Sequence, residues 1–559
     1  MPNSSLSAPL RDDKPTEFRG ILRDDLLARE LYSEGAGIAR CLPLAVAVPV
    51  DVNDVGNLVR WARRSGYSLM ARGSGSGMAA GAIGPGLAVD LSQRKTIGMV
   101  DVARRRIRVG AGAVRADVEA AAHAAGLRFP VDPSSSAFCT IGGMAAANAA
   151  GARTLRYGST RAWVTGIECV FDDGQVAWIR RDEPVPMHIP AIARLAKTLE
   201  LISKASTPAA FVHAGVRKES SGYAIANCIS PNGHLIDLLI GSEGTLAMFT
   251  QIELALTDAA QATATILARF DSLEAATECA LLASEAGASA CELLDRTFLE
   301  LAASEGASGV PLGSEAVLLA EVEGAESAAA SNAARSLADV FRAHGASDVS
   351  LALNASDERV LWELRHAASP IMSRLAPRLR SMQFIEDGCV PPQQLPEYVR
   401  GVRAALNKAK FAGVIFGHAG DAHTHVNPLI DTSLAGWQDR VRGALLDVCE
   451  LTSRLGGTLA GEHGDGRLRA PLLPHVWSAE ARAGFANVKA AGDPAGVFNV
   501  GCKVATAGDD LRGELRHDPN ASPLGATARG ILDRIERTRS WNAFRLGEIG
   551  VPAPSDPGD

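Results

Sequence analysis

None of the nine cysteines (Cys41, Cys139, Cys169, Cys228, Cys279, Cys291, Cys389, Cys449, Cys502) stands in a C-x-x-C pair. That scatter argues against a structural zinc finger, a resident iron–sulfur module and a disulfide framework, and it suits a reducing cytoplasm. No run of about 18 apolar residues occurs, so no membrane-spanning helix is expected. The opening MPNSSLSAPLRDDKPTEFRG has no apolar centre, which predicts no secretory signal. Peripheral contact with an inner membrane stays open. Basic residues are not in excess, 56 Lys and Arg against 63 Asp and Glu for a net charge of −7. The electrostatic footprint of a nucleic-acid binder is therefore missing.

What is present is a chain of 559 residues with 47% hydrophobic and 21% charged residues. That is a globular composition, too long for one core, so two or more domains are expected. Residues 1–35 read as a polar arm plus a first helix. From about 44 the pattern alternates: LAVAVPV as strand, DVGNLVRWARRSG as a helix ending in glycine, YSLMARG as strand. The alternation runs through LAVDLS (87–92), WVTGIECVF (163–171) and LAMFTQIELAL (246–256), giving an α/β unit over 36–257. Residues 258–503 open with two β-α-β units, 262–295 and 315–353, which predict a ferredoxin-like antiparallel sheet laid as a cap over the first unit. Residues 504–559 are rich in Asp, Arg, Gly and Pro and read as a polar tail, loose or wrapped on the surface.

Three small-residue loops follow strands. In ARGSGSGMAAGAIG (71–84), Gly73, Gly75, Gly77 and Gly81 leave amides free, and Arg72 adds a positive charge, which together make a phosphate nest. The third glycine of a Rossmann fingerprint is replaced by Met78, and no G-K-[ST] is present, so neither dinucleotide motif nor Walker A is met. Alone, this loop could simply turn. FPVDPSSSAFCTIGGMAAANAAG (129–151) and LIGSEGTLAMFT (239–250) are two more such stretches. Three of them fit an elongated ligand with a pyrophosphate at its middle.

The joint pattern R-G-x-G-x-G…G at 72–81, P-x-D-P-S-S…I-G-G-x-x-A-x-N-A-x-G at 130–151, R-Y-G at 156–158, S-S-G-Y at 220–223 and G-S-E-G-T-L at 241–246 resembles the FAD-linked oxidase family. This is the vanillyl-alcohol-oxidase, or PCMH, type of flavin fold, in its D-lactate and D-2-hydroxyglutarate dehydrogenase branch. The resemblance runs from about residue 30 to 503, ending in FNVGCK. It implies an α+β architecture: a two-subdomain PCMH-type FAD-binding domain, a ferredoxin-like cap and a C-terminal helical return. It implies that Arg72, Gly73, Ser74, Gly75, Ser76, Gly77 and Gly81 hold the FAD pyrophosphate. Pro130, Asp132, Ser135, Gly142, Gly143, Asn148 and Gly151 would line the flavin, with Tyr157, Gly158, Glu243, Gly244 and Thr245. The first loop has no histidine, so non-covalent FAD is expected.

GHAGDAHTHVNPL (417–429) gathers His418, Asp421, His423, His425 and Asn427, with GEHGDGR (461–467) some 40 residues on. Any one of these histidines alone could be satisfied by backbone in a polar turn. A turn at Gly420–Asp421 would put His418 and His425 on one side, with Glu462 as a third ligand. Two imidazoles and a carboxylate with open positions suit a catalytic divalent metal. The resemblance implies the same: His418, His425 and Glu462 for zinc or a similar ion, and His463 as the base. His423 stands where the family shows asparagine, either as an added ligand or as a support. Arg365 matches the family's carboxylate anchor, with Ser369 a turn further and Asn427 beside the ion. Where hydroxyglutarate enzymes carry a lysine, this chain has Ile385 and Glu386, which weakens that substrate. FIEDGCVPP and GEHGDGR are more similar to large bacterial members with an iron–sulfur module, which is missing here.

The expected activity is oxidation of a D-2-hydroxy acid such as D-lactate to the 2-oxo acid, with hydride to flavin N5. Electrons would leave to a quinone, a cytochrome, another flavoprotein or a separate iron–sulfur subunit; a homodimer is an open option. Alternatives are a glycolate-oxidase-type subunit of a complex, a non-catalytic flavoprotein, and a metal-dependent hydrolase using 418–463 without redox chemistry.

Overall fold

The computed structural model describes residues 10, 15–306, 309–366, 379–506, 515–516, 518–541 and 544–551. Three sheets carry the architecture. The first has Ile21–Arg23 on its edge, then Ala45–Val48, Leu87–Asp90 and Leu69–Arg72, the last three mutually parallel. Parallel neighbours need a crossover, supplied by the helix Val52–Ser65. Local chemistry sets its ends: the Asp51 side chain accepts from the Asp54 amide, and Gly66 closes it at φ 75°. The second sheet is antiparallel, in the order Arg106–Gly110, Met248–Ala255, Val164–Val170, Val176–Arg180. The helix Pro190–Ala205 packs over it, and Ala479–Gly492 returns from the cap side to pack on that helix.

The cap begins with the strand order Ala346–Ala352, Ala262–Phe270, Ala316–Gly324, Ala290–Asp295. In chain order this is 4-1-3-2, the ferredoxin-like arrangement expected. The sheet then continues through the hairpin Ala412–Gly417 and His423–Asp431 to Leu379–Ser381, with Gly388–Cys389 pairing on His423–Asp431. Alternate side chains enter two cores: Ile266, Ala268, Leu318 and Ala320 in one, Leu267, Val317 and Leu319 in the other, as strand periodicity requires. Among the described residues no helix is long and apolar enough to cross a membrane.

Two expectations change. The first helix expected within 1–35 is Leu26–Leu31, packed inward, but Ile21–Arg23 before it is an edge strand and not part of an arm. Nor is the stretch after 504 a loose tail. It contains the helices Ala526–Thr538 and Phe544–Glu548, whose Ala528, Ile531, Leu532, Ile535, Leu546 and Ile549 form one core with Ala28, Leu31, Tyr32, Val46 and Met70. Spacing at 528, 531, 532 and 535 is the helical one; high average polarity hid it.

One buried cap predicts a pH effect. Asp295 ends its strand and caps the helix Arg296–Ser304, accepting from the Phe298 amide at 2.9 Å. Burial pushes its carboxyl up to about 7, with Arg403 at 3.8 Å offsetting only part. A folded-state value above the unfolded one, about 3.9, means the native state holds the extra proton. This group's stabilisation is therefore present below pH 4 and lost as pH rises to about 7. Asparagine caps equally well without the charge. Asp295→Asn is expected to raise urea-unfolding stability by roughly 1–3 kcal/mol at pH 8 and by little at pH 4. Equal differences at both pH values would refute this.

Candidate active site

Backbone geometry assembles the histidines. Gly417 at φ 138° and Ala422 at φ 56° bracket one tight turn, Ala419–Asp421, which folds His418 back over the following strand. His425 and Asn427, two apart on that strand, face the same way. GEHGDGR is held by carboxylates gripping its amides. Asp387 accepts from the amides of Glu462 (3.2 Å) and His463 (2.8 Å), and Glu243 from those of Asp465 and Gly466, both at 2.7 Å. Asp465 accepts from Ser221 Oγ and the Gly222 amide, and Arg467 ties Ile83, Asn499 and Val500 together. Gly466 must be glycine: its φ is 52°, and a Cβ there would lie 1.7 Å from the Ala79 carbonyl oxygen.

Three donor atoms converge. His418 Nε2 lies 3.2 Å and His425 Nε2 3.4 Å from Glu462 Oε1, and the two nitrogens are 3.4 Å apart. A tetrahedral ion with bonds of about 2.1 Å sets its ligand atoms about 3.4 Å apart. These three residues can therefore hold a divalent ion without rearranging. Each ligand is braced from behind: His418 Nδ1 by Glu292 (2.6 Å), His425 Nδ1 by the Glu386 carbonyl (2.9 Å), and Glu462 Oε2 by the Lys218 ammonium (2.9 Å). His423 lies in the same cluster, with a ring nitrogen within 4.8 Å of the other ligand atoms; its Nε2 bonds Asp387 Oδ1 at 2.8 Å, under the 462–463 amides.

Charge follows this geometry. Burial pushes His418 down, but Glu292 and Glu462 outweigh burial and Lys218 and take it up to about 9. Burial holds His425 below its ordinary value and His423 down at about 3. Burial would raise Glu462, yet Lys218 and His418 hold it well below the carboxylate range. His463 stacks on His425 with ring centroids 5.2 Å apart and planes 11° apart. Its Nδ1 faces Glu386 (3.4 Å) and Asp387 (3.5 Å), and its Nε2 lies 3.8 Å from Glu462 Oε1. Burial lowers this imidazole, and those carboxylates more than restore it, raising its basicity.

A cavity of about 960 Å³ joins this cluster to the glycine loops. Its wall includes His418, His425, Asn427, Glu462, His463 and Arg365, together with Arg72, Gly73, Ser74, Gly75, Ser76, Gly77, Gly81, Asp132, Ser135, Gly142, Gly143, Glu243 and Gly244. A Cβ on Gly77 would meet nothing within 4 Å, so the missing side chain leaves cavity space. The volume is at the upper end for ligand sites, and the small-residue wall suits a long, flat ligand such as FAD.

Several expected contacts fall elsewhere. Pro130, Asn148, Gly151, Tyr157, Gly158 and Thr245 are not part of that wall. Tyr157 bonds Glu323 with Arg128 over its ring, Asn148 is a left-handed helix cap whose side chain accepts from the Arg161 amide, and Thr245 bonds Tyr223. Arg72 is a strut: its Nη atoms bond the Tyr32 and Glu34 carbonyls, and Gly75 is left-handed where a Cβ would hit that guanidinium. Ser369 lies outside the described residues. Arg365 is buried, with Nε donating to Glu292 at 2.6 Å. Glu292, Lys218, Asp387 and Arg469 were not singled out from sequence. The available signals were a charge inside the apolar strand ACELLD and a lysine just before S-S-G-Y.

A flavin-type fold whose cavity ends in an ionisable cluster defines a cofactor-dependent oxidoreductase. The FAD binding domain model matches residues 43–180, and the FAD linked oxidases, C-terminal domain model matches 259–502. The chain belongs to the FAD-linked oxidase family and is an FAD-linked oxidoreductase. It is 26% identical over 464 residues to the glycolate oxidase subunit GlcD of Bacillus subtilis (82% of this chain, 88% of that protein). It is 28% identical to the D-lactate dehydrogenase of Archaeoglobus fulgidus (82% and 90%) and to the D-2-hydroxyglutarate dehydrogenase of Pseudomonas putida, of which it spans 54% while 94% of this chain aligns. The fold matches that of 4-ethylphenol oxidase from Gulosibacter chungangensis with a TM-score of 0.61 at 13% identity, over 86% and 94% of the two chains.

Proposed function

We propose that this oxidoreductase is an FAD-dependent dehydrogenase of a short D-2-hydroxy acid, forming the 2-oxo acid, with a divalent ion, zinc first, on His418, His425 and Glu462. The observation that carries this reading is a single cavity shared by the glycine loops, the ligand triangle, His463 and Arg365. Bound FAD supplies the acceptor for the hydride leaving the substrate carbon, and the ion supplies positive charge beside the hydroxyl oxygen.

The chain's own residues do the rest. Arg365, fixed at Nε by Glu292, is the carboxylate anchor at the cavity wall. Glu292 also holds His418, so one buried carboxylate sets the spacing between anchor and ligand triangle. His463 takes the hydroxyl proton at Nε2, while Glu386 and Asp387 at Nδ1 stabilise the imidazolium that results. A small substrate is favoured over a dicarboxylate by Ile385 and Glu386, which stand where a cation for a distal carboxylate would be needed.

A second reading, a flavin subunit acting within a complex, is favoured by the likeness to the glycolate oxidase subunit GlcD. Anaerobic mixing of the purified protein with D-lactate, L-lactate, glycolate and D-2-hydroxyglutarate tests the main reading. Fast bleaching of flavin absorbance by a small D-acid is expected. Failure of every hydroxy acid to reduce the flavin would overturn it.

A further inference from the structure

The arginine of the glycine loop, Arg72, is turned away as a strut, with both Nη atoms bonded to backbone carbonyls. Among the other cavity-lining arginines, Arg380 is exposed on the strand Leu379–Ser381 and has no ion pair among the described residues, and four more are held by carboxylates. Arg153 pairs with Asp132 and Glu321, Arg365 with Glu292, Arg516 with Glu34 and Glu536, and Arg529 with Glu34 and Asp533. Arg539 differs. It closes the helix Ala526–Thr538 in a left-handed conformation, φ 56°, and among the described residues its side chain has no hydrogen bond or ion pair. It lines the cavity with Trp541, whose ring lies 6.4 Å from that of Phe138, also in the wall. Residues flanking this segment touch the glycine loop or its neighbour: Arg545 donates to the Ser74 carbonyl at 3.1 Å, and Arg516 to that of Gly35.

We propose that the segment 526–541, which lies beyond both matched family regions, is part of the dinucleotide site, with Arg539 supplying the cation for its phosphates and Trp541 an aromatic wall for its adenosine half. The inference rests on FAD being the cofactor. A half-buried guanidinium without a carboxylate partner, lining the same cavity as the glycine loop, is suited to a dianion.

The test is the rate of flavin release, read by recovery of flavin fluorescence after dilution of the holoenzyme, for wild type, Arg539→Gln, Arg539→Gly and Arg539→Lys. Glycine suits φ 56°, so that variant loses the cation without backbone strain. FAD is expected to leave the Gln and Gly variants at least tenfold faster and the Lys variant at an intermediate rate. Release of bound riboflavin, which has no phosphate, is expected to be unchanged in all. Wild-type FAD release from both neutral variants would overturn the proposal and leave the FAD reading intact. A wild-type protein that carries no flavin and takes up none would overturn both.

Discussion

Replacing His463 by alanine is expected to leave FAD bound while slowing its reduction by the hydroxy acid about a hundredfold or more. The imidazole stands over the ligand triangle, yet its ring contacts are with His425, Glu386 and Asp387 and not with the glycine loops. Its loss therefore removes a proton acceptor from the cavity wall while every residue of the glycine loops stays in place. The backbone bond from the His463 amide to Asp387 survives the substitution, so the loop keeps its shape. Single-turnover reduction monitored by flavin absorbance is the measurement. A wild-type rate in the variant would remove His463 from the chemistry.

Chelation should have an effect as large. Dialysis against a strong chelator is expected to lower turnover by on the order of a hundredfold, restored by added zinc or a similar divalent ion. Glu462→Gln should give the same loss without rescue. The carboxylate is the atom both imidazoles approach, at 3.2 and 3.4 Å, and an amide oxygen there carries no charge to hold an ion. The variant also leaves the buried Lys218 ammonium without its 2.9 Å partner, so part of its cost is structural. The chelated wild type separates the two effects, because its carboxylate is intact. Full activity in a preparation shown to be metal-free would exclude the ion.

Much of this was legible in the residues. Three glycine-rich loops after strands and two histidine-bearing segments pointed to a cofactor cleft and a charged cluster, and the duplicated β-α-β pattern pointed to the cap. What stayed hidden were partners distant in sequence. Glu292 serves His418 across 126 residues and Lys218 serves Glu462 across 244, and no local spacing records such pairs. Arg72 was legible as a charge at a phosphate loop but not as a strut, because its partners are backbone carbonyls of residues 32 and 34. The segment after 504 was misread because an amphipathic helix with a narrow apolar stripe averages as polar.

That segment also sets a timetable. Gly525 and Arg529 bond Glu30 and Glu34 across 495 positions, and Arg545 reaches the Leu31 carbonyl across 514. At about 5–20 residues per second, synthesis separates these partners by roughly 25–100 s. Throughout that interval the first helix and sheet wait with one apolar face uncovered. The wall carrying Arg539 and Trp541 is added only afterwards, so a nascent chain can fold its cap before its cofactor cavity is closed. On the role proposed for 526–541, the flavin cavity is the last part of the nascent chain to be completed.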